Sequence, residues 1–249
     1  MPNIPAYDIP IEELRERYLA LHTAAVFDVL DTMGLPYQLL SHEIQPLRDD
    51  MVVAGPAVTA KSVESADLTK FESADARPTK FVFDEMYPGC VLVKDVGYSD
   101  ISGPWGENTS ITAQVKGCVG VIIDGLTRDH RQVVAMGYPV FARGVTPSYG
   151  RGRNREVDVN VPIRVAGHLS RTVTVYPGDF IFGDKDGIMV VPQELTTEVL
   201  LAAERVEEFE EDQRRRLLAG EDRREVYKID RYAHVRRLSG DEVARLMLR

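Results

Sequence analysis

The first part of the chain shows apolar residues at helical spacing. This stripe consists of Ile11, Leu14, Tyr18, Leu21, Ala25 and Val29. Glu12 and Glu13 lie at its start, where acidic side chains favour a helix N-terminus. The pattern predicts one helix from Pro10 to Met33, within which His22 would be half-buried. Gly34-Leu35-Pro36 would end that helix.

Strand patterns follow this helix. Residues 51–62 alternate apolar and small side chains, and residues 119–124 form an apolar run with too few polar residues for a surface. We expect the second strand to end at Asp124-Gly125, just before Arg128-Asp129. Further strands are predicted over residues 140–145, 157–161, 163–165 and 172–175, with two more between residues 179 and 191.

The period changes to helical at Thr196, and the segment to Gly220 is long and highly charged. No repeat or flexible linker separates a second domain from the first. We therefore expect one α/β domain over residues 1–200 and a helical extension over residues 201–249. The end of this extension, residues 221–249, should pack on the body or on another protomer.

Composition narrows the range of functions. With 249 residues, of which 44% are hydrophobic, the chain can bury one sizeable core. The net charge of −9 argues against a nucleic-acid backbone as partner. Two cysteines make no disulfide framework, so Cys90 and Cys118 are expected to be buried thiols. The sequence shows no secretory signal and no apolar run of membrane-spanning length, so we expect a cytoplasmic protein without membrane contact.

Candidate chemistry lies beside the central strand. Asp129 could hold a hard cation such as Mg²⁺ or Mn²⁺ through its carboxylate oxygens, and Arg128 offers a planar fork for a substrate carboxylate or enolate. Gly106-Glu107 opens a predicted helix over residues 108–116, whose N-terminal amides favour an anion. Glu107 could reach the metal through water. The alternative is a local ion pair between Arg128 and Asp129.

Four motifs together resemble one known family. They are Gly106-Glu107-Asn108, then the run from Gly120 to Asp129, then Gly137-Tyr138-Pro139-Val140-Phe141-Ala142-Arg143-Gly144, and finally Pro177-Gly178-Asp179 with Gly183-Asp184-Lys185-Asp186-Gly187 and Val190-Val191-Pro192. In order and spacing, over roughly residues 20 to 200, they resemble the RraA-like superfamily. That superfamily contains divalent-metal-dependent 4-hydroxy-4-methyl-2-oxoglutarate/4-carboxy-4-hydroxy-2-oxoadipate aldolases and the regulator of ribonuclease E activity.

The resemblance implies a swivelling-domain-like α/β/α sandwich with an N-terminal helix, assembled as a homotrimer or homohexamer. It also implies a carbon–carbon lyase acting on a small 2-oxo acid, with oxaloacetate decarboxylation as a possible side activity. In this interpretation Asp129 anchors Mg²⁺ or Mn²⁺ and Glu107 holds a metal-bound water. Arg128, Gly106 and the amides of Asn108 and Thr109 bind the substrate.

The aldolases also deliver a C-terminal glutamate to the neighbouring subunit's metal site. The acidic helix of this chain favours the same arrangement, with Glu207 as the counterpart and Glu204 and Glu211 as rivals. Arg143 or Arg151 could grip a distal substrate carboxylate, or could lie in a solvated turn.

Two other functions remain open from the sequence. One is a non-enzymatic regulator that binds an RNA-processing enzyme through an acidic surface. The other is a sugar-acid lyase or dehydratase on the same fold, since the asparagine expected among residues 64–70 is not recognisable and the tail is longer than in most members.

Overall fold

The computed structural model of this protein describes residues 2–64 and 81–249. Its helices are α1 (Ile11–Leu19), α2 (Thr23–Met33), α3 (Glu107–Val115), α4 (His130–Met136), α5 (Thr196–Leu218), α6 (Arg223–Val226) and α7 (Gly240–Met247). Its strands are β1 (Gln45–Pro46), β2 (Val53–Glu64), β3 (Val91–Asp95), β4 (Gly120–Thr127), β5 (Val140–Val145), β6 (Asn154–Val159), β7 (Ile163–Ala166), β8 (Thr172–Val175), β9 (Phe180–Gly183) and β10 (Ile188–Val191).

The central sheet has a parallel half and an antiparallel half. Its strand order is β1-β5-β4-β3-β2-β9-β10, and β6 pairs with the far part of β2. Strands β2, β3, β4 and β5 run parallel, whereas β1, β6, β9 and β10 are antiparallel to their neighbours. The carboxyl ends of β3, β4 and β5 therefore meet at one edge, where α/β proteins commonly place their sites.

Two different kinds of layer cover the sheet. Helices α1, α2 and α5 enclose one core cluster against β9 and β10, and α3 and α4 help enclose a second against β3 and β4. The β7–β8 hairpin packs on the opposite face and completes a third cluster. The predicted α/β class is confirmed, with helices forming one outer layer and a hairpin contributing to the other.

The predicted N-terminal helix is two helices. Helix α1 ends at Leu19 and α2 starts at Thr23, with His22 in extended conformation at the N-cap of α2. The prediction of a half-buried His22 was wrong, because its side chain is 71% exposed and lies against Glu207. The apolar stripe continues across the break, since Leu14, Tyr18 and Val29 all enter the same core cluster.

Strand β4 also differs from its prediction. It does not end at Asp124-Gly125 but continues to Thr127, after an irregularity in its pairing with β5 between Ile123 and Leu126. Gly125 permits this path because a Cβ there would lie 2.3 Å from a methyl carbon of Val96. The extra residues carry the chain to Arg128 and Asp129 at the start of α4.

The C-terminal segment packs on the body of the protein, which is one of the two arrangements expected from the sequence. Val235 and Leu246 are buried in the cluster formed by α1, α2 and α5. Helix α5 crosses residue 200, where the sequence places the boundary between domain and extension; that boundary remains a prediction. No helix in the described part of the chain is long and apolar enough to cross a membrane.

Candidate active site

Asp129 lies where two helix N-termini meet. It is the N-cap residue of α4, and its carboxylate Oδ2 accepts a hydrogen bond of 3.2 Å from the backbone N–H of Glu107, the first residue of α3. Its backbone is left-handed, with φ of 56°, a conformation that aspartate tolerates better than most residues. Both helix termini place partial positive charge beside this carboxylate.

Arg128 is held between Asp129 and an aromatic ring. Its Nε donates to Asp129 Oδ1 at 3.0 Å, and its guanidinium carbon lies 5.1 Å from the centroid of the Tyr149 ring. The backbone N–H of Arg128 donates to the carbonyl of Trp105 at 2.9 Å. About a third of each charged side chain stays accessible, 30% for Arg128 and 32% for Asp129. The pair can thus meet a ligand from solvent.

Gly106 provides the space in which this pair sits. A Cβ built on Gly106 would lie 2.3 Å from Asp129 Oδ2 and 2.8 Å from Cγ of Arg128, closer than real contacts allow. Thr109 closes the turn, since its hydroxyl accepts from the Gly106 N–H at 2.8 Å. Asn108 and Thr109 belong to the first turn of α3, where a helix leaves its N–H groups without an acceptor four residues earlier in the helix.

The structure therefore brings together Gly106, Glu107, Arg128 and Asp129, with Asn108 and Thr109 on the adjoining turn. Their roles remain predictions. Glu207 is placed elsewhere in the chain: it accepts from the backbone N–H of His22 at 3.0 Å and contacts the His22 ring.

Arg143 is engaged in an internal ion-pair network. Its Nε donates to Asp124 at 2.6 Å, and its terminal nitrogen contacts Glu43. Asp124 is 1% exposed and also accepts from the Ala166 N–H at 2.8 Å. Because a buried carboxylate depends on its counter-charge, this arrangement argues against Arg143 as a free grip for a distal substrate carboxylate.

Trp105 is a core anchor. It is 2% exposed, stacks on Phe83 with ring centroids 5.9 Å apart, and donates from Nε1 to Ser110 at 2.9 Å. Its carbonyl accepts from both the Arg128 N–H and the Thr127 hydroxyl. The ring therefore stabilises the loop, and the backbone of the same residue positions Arg128.

Sequence reasoning missed three further features of the site. The contact of Tyr149 with Arg128 was not predicted, because it joins residues distant in sequence. Ser99 and Ser102 have buried hydroxyls that find no hydrogen-bond partner among the described residues, and Ser102 precedes Gly103, which lies against the backbone of Thr127. No local sequence signal distinguishes such serines from ordinary turn residues. Residues 65–70, where the expected asparagine was missing, lie outside the described residues.

Comparison with known proteins identifies the family. A family model described as "RraA-like: Aldolase/RraA" matches residues 23–190. The chain belongs to the RraA-like family. An uncharacterized protein of Methanocaldococcus jannaschii, MJ0644, is 32% identical over 184 residues, which cover 74% of this chain and 82% of that protein. The family-model match includes the site residues from Gly106 to Tyr149.

Two relatives in the RraA-like family carry different descriptions. A 4-hydroxy-4-methyl-2-oxoglutarate aldolase of Thermus thermophilus is 31% identical over 112 residues, 45% of this chain and 65% of that protein. The crystal structure of Streptomyces coelicolor RraAS2, described as an unusual member of the RNase ES inhibitor RraA protein family, matches with a TM-score of 0.71. It is 28% identical, and the match covers 84% of this chain and 100% of that one.

Proposed function

We propose that this protein is a divalent-metal-dependent lyase that cleaves a 4-hydroxy-2-oxo acid to pyruvate and a carbonyl compound. The observation that carries the proposal is the placement of Arg128 and Asp129 against the first turn of α3. This places a carboxylate that could bind a cation, a guanidinium that could bind an anion and the amides of a helix N-terminus close together. Such a combination suits a substrate whose charge changes during the reaction. Similarity to the Thermus aldolase supports the reaction class.

The oxygen donors fit a hard divalent cation. Mg²⁺ is often held by only one or two carboxylates and keeps several waters. Among residues 2–64 and 81–249 no group of three or more His, Cys, Asp or Glu side chains is placed to hold a metal. Asp129, which accepts a hydrogen bond from the backbone N–H of Glu107, is consistent with the smaller set. The missing Cβ of Gly106 leaves the space next to Asp129 Oδ2. Asp129 is thus the proposed ligand of Mg²⁺ or Mn²⁺.

The bound cation, Arg128 and the helix amides would each act on a different part of the substrate. When bound, the cation would supply Lewis acidity toward the 2-oxo group of the substrate. Arg128, oriented by Tyr149 and the Trp105 carbonyl, would bind the substrate carboxylate through its planar fork. The amides of Asn108 and Thr109 would stabilise the negative charge that develops on oxygen as the carbon–carbon bond breaks to leave pyruvate enolate.

The same enolate forms when oxaloacetate loses carbon dioxide, so oxaloacetate decarboxylation is the proposed side activity. Glu107, beside Asp129, is proposed to take part in proton transfer. Glu207 contacts His22 within its own chain. It is nevertheless proposed to act in a neighbouring subunit of a homotrimer or homohexamer, because the resemblance to the aldolases implies a C-terminal glutamate at that position.

Replacing Arg128 by Ala tests this function. We expect turnover to fall by about 10²- to 10³-fold, because the group that binds the carboxylate and opposes the developing charge is lost. The assay is pyruvate release from 4-hydroxy-4-methyl-2-oxoglutarate and from oxaloacetate, with Mg²⁺ or Mn²⁺ and with EDTA. Arg164→Ala, which removes an exposed arginine on β7, is the matched control and should retain wild-type turnover. Wild-type rates in Arg128→Ala would refute the mechanism.

A second candidate function is inhibition of an RNA-processing enzyme. The similarity that favours it is the match to RraAS2 over that protein's full length. The net charge of −9 would then supply an acidic surface for a basic partner. Specific binding of a ribonuclease, together with no pyruvate release under any metal condition, would favour this function over the lyase.

A further inference from the structure

Two histidines far apart in sequence meet on the surface. Leu40 and Gly167 form an antiparallel β-bridge. His42 lies two residues after Leu40, and His168 directly follows Gly167. The backbone is tied on both sides, since the Ser41 N–H donates to Ala166 at 2.8 Å and the His168 N–H donates to Leu39 at 3.0 Å. The two imidazoles are thus presented by a hydrogen-bonded framework.

The rings face each other through the same type of nitrogen. Nδ1 of His42 lies 3.2 Å from Nδ1 of His168, and the rings are nearly perpendicular, with centroids 5.2 Å apart. A neutral imidazole offers one N–H and one lone pair, so such a contact requires either one shared proton or a cation between two lone pairs. Two nitrogens about 2.0–2.1 Å from one tetrahedral metal lie about 3.3 Å apart, close to the observed separation.

We propose that His42 and His168 form a binding site for a borderline divalent transition metal such as Zn²⁺, Ni²⁺ or Cu²⁺. Imidazole nitrogen suits these metals, whereas Mg²⁺ and Mn²⁺ prefer oxygen. Both histidines are exposed, so water completes the coordination. The adjacent Glu43 is occupied by Arg143, which leaves two protein ligands and a site of modest affinity.

This site uses other residues than the one at Asp129. His42 lies on the segment before β1 and His168 on the turn between β7 and β8, whereas Asp129 begins α4. The two sites also differ in donor chemistry, nitrogen against oxygen. The proposal therefore stands independently of the lyase activity.

Zn²⁺ binding to protein without an affinity tag tests the site. Titration calorimetry would be done in a large excess of Mg²⁺, which competes with Zn²⁺ for the oxygen site. We expect one Zn²⁺ per chain, and an affinity at least about tenfold weaker in His42→Gln and in His168→Gln, because each removes one of two ligands. The double variant should bind no better than either single variant.

Two matched variants serve as controls. His130→Gln removes another exposed histidine, and Asp129→Asn removes the oxygen ligand; both should bind Zn²⁺ as the wild type does. Nitrogen NMR of the histidine rings gives a second measurement, in which Zn²⁺ should shift Nδ1 of His42 and His168 and leave their Nε2 protonated. Unchanged affinity in His168→Gln, or loss of binding in Asp129→Asn, would overturn the proposal.

Discussion

Gly106 shows how one missing side chain can determine a site. Its backbone passes so close to the Arg128–Asp129 pair that a methyl group would clash with an Asp129 carboxylate oxygen at 2.3 Å. At the same time its N–H is satisfied by Thr109, so the turn is held in place without a side chain on Gly106. The requirement for glycine at this position is therefore steric, since its φ of −163° is ordinary extended backbone.

Gly106→Ala should displace the Asp129 carboxylate and the Arg128 stem. We expect turnover to fall by about 10²-fold, since a shift of about 1 Å in a reacting group can cost that much. Pyruvate release and circular dichroism would be measured on the same preparation. Gly240→Ala is the control, because a Cβ at Gly240 meets no atom within 4 Å. Full activity in folded Gly106→Ala would show that Asp129 need not stay in place.

Two glutamates of helix α5 form hydrogen bonds with the N-terminal helical region. Glu204 forms two hydrogen bonds with Arg17, of 2.7 and 2.6 Å, and Glu207 accepts from the backbone N–H of His22 at the N-cap of α2. Glu207 is more enclosed than its partner, 19% exposed against 71% for the His22 side chain. In one chain Glu207 therefore satisfies a helix N-terminus, a structural role that does not depend on a neighbouring subunit.

Glu207→Gln separates this structural role from the proposed catalytic one. Glutamine can still accept from the His22 N–H but carries no charge, so we expect kcat to fall at least about tenfold while Tm changes by only a few degrees. Glu198→Gln is the control on the same helix, where Glu198 pairs with exposed Arg236. If Glu207→Gln retains wild-type kcat, then Glu207 serves only to join α5 to α2.

At the scale of the whole molecule, an ion pair with a buried carboxylate connects the C-terminal extension to the central sheet. Asp179 precedes β9, is 1% exposed and accepts from the N–H groups of Tyr176 and Gln193. Arg249 lies 2.9 Å from its Oδ1 and stacks over the Tyr176 ring. Burial raises the pKa of Asp179, and Arg249 opposes that rise. Arg249 thus compensates a buried charge just before β9.

Arg249→Met should destabilise the protein in a pH-dependent manner. Loss of the guanidinium leaves Asp179 buried without its counter-charge, and we expect about 1–3 kcal/mol lower unfolding free energy at pH 7, less than for a fully buried pair because Arg249 is partly exposed. A carboxyl with a raised folded pKa binds more protons when folded, so its stability contribution improves as pH falls through that pKa. The deficit should therefore shrink in acid.

Urea unfolding at pH 7 and pH 5 measures this effect. Arg245→Met is the control, because the contact of the Arg245 side chain with Glu194, 3.5 Å long, is exposed. A deficit in Arg249→Met that stays constant with pH would show that the lost contact is packing on Tyr176 rather than charge compensation.

Local sequence patterns predicted most of the elements. Each of these patterns can be seen within a single segment, because side-chain spacing follows the geometry of a strand or helix. Examples are the alternation over β2, the turns around β9 and β10, and the period of α5. The break between α1 and α2 was missed since the apolar stripe continues through it. The extension of β4 was missed since Asp124-Gly125 reads as a turn, and only pairing with β5 carries the strand further.

The sequence by itself determined the α/β class, the RraA-like motifs and the residue types available at the candidate site. Only the tertiary structure decided which of these residues meet: Arg128 with Tyr149, Arg143 with Asp124 rather than a ligand, and His42 with His168. The physical reason is the range of the interactions. Periodicity and capping act over a few residues, whereas these contacts depend on strand pairing and packing between segments far apart in the chain.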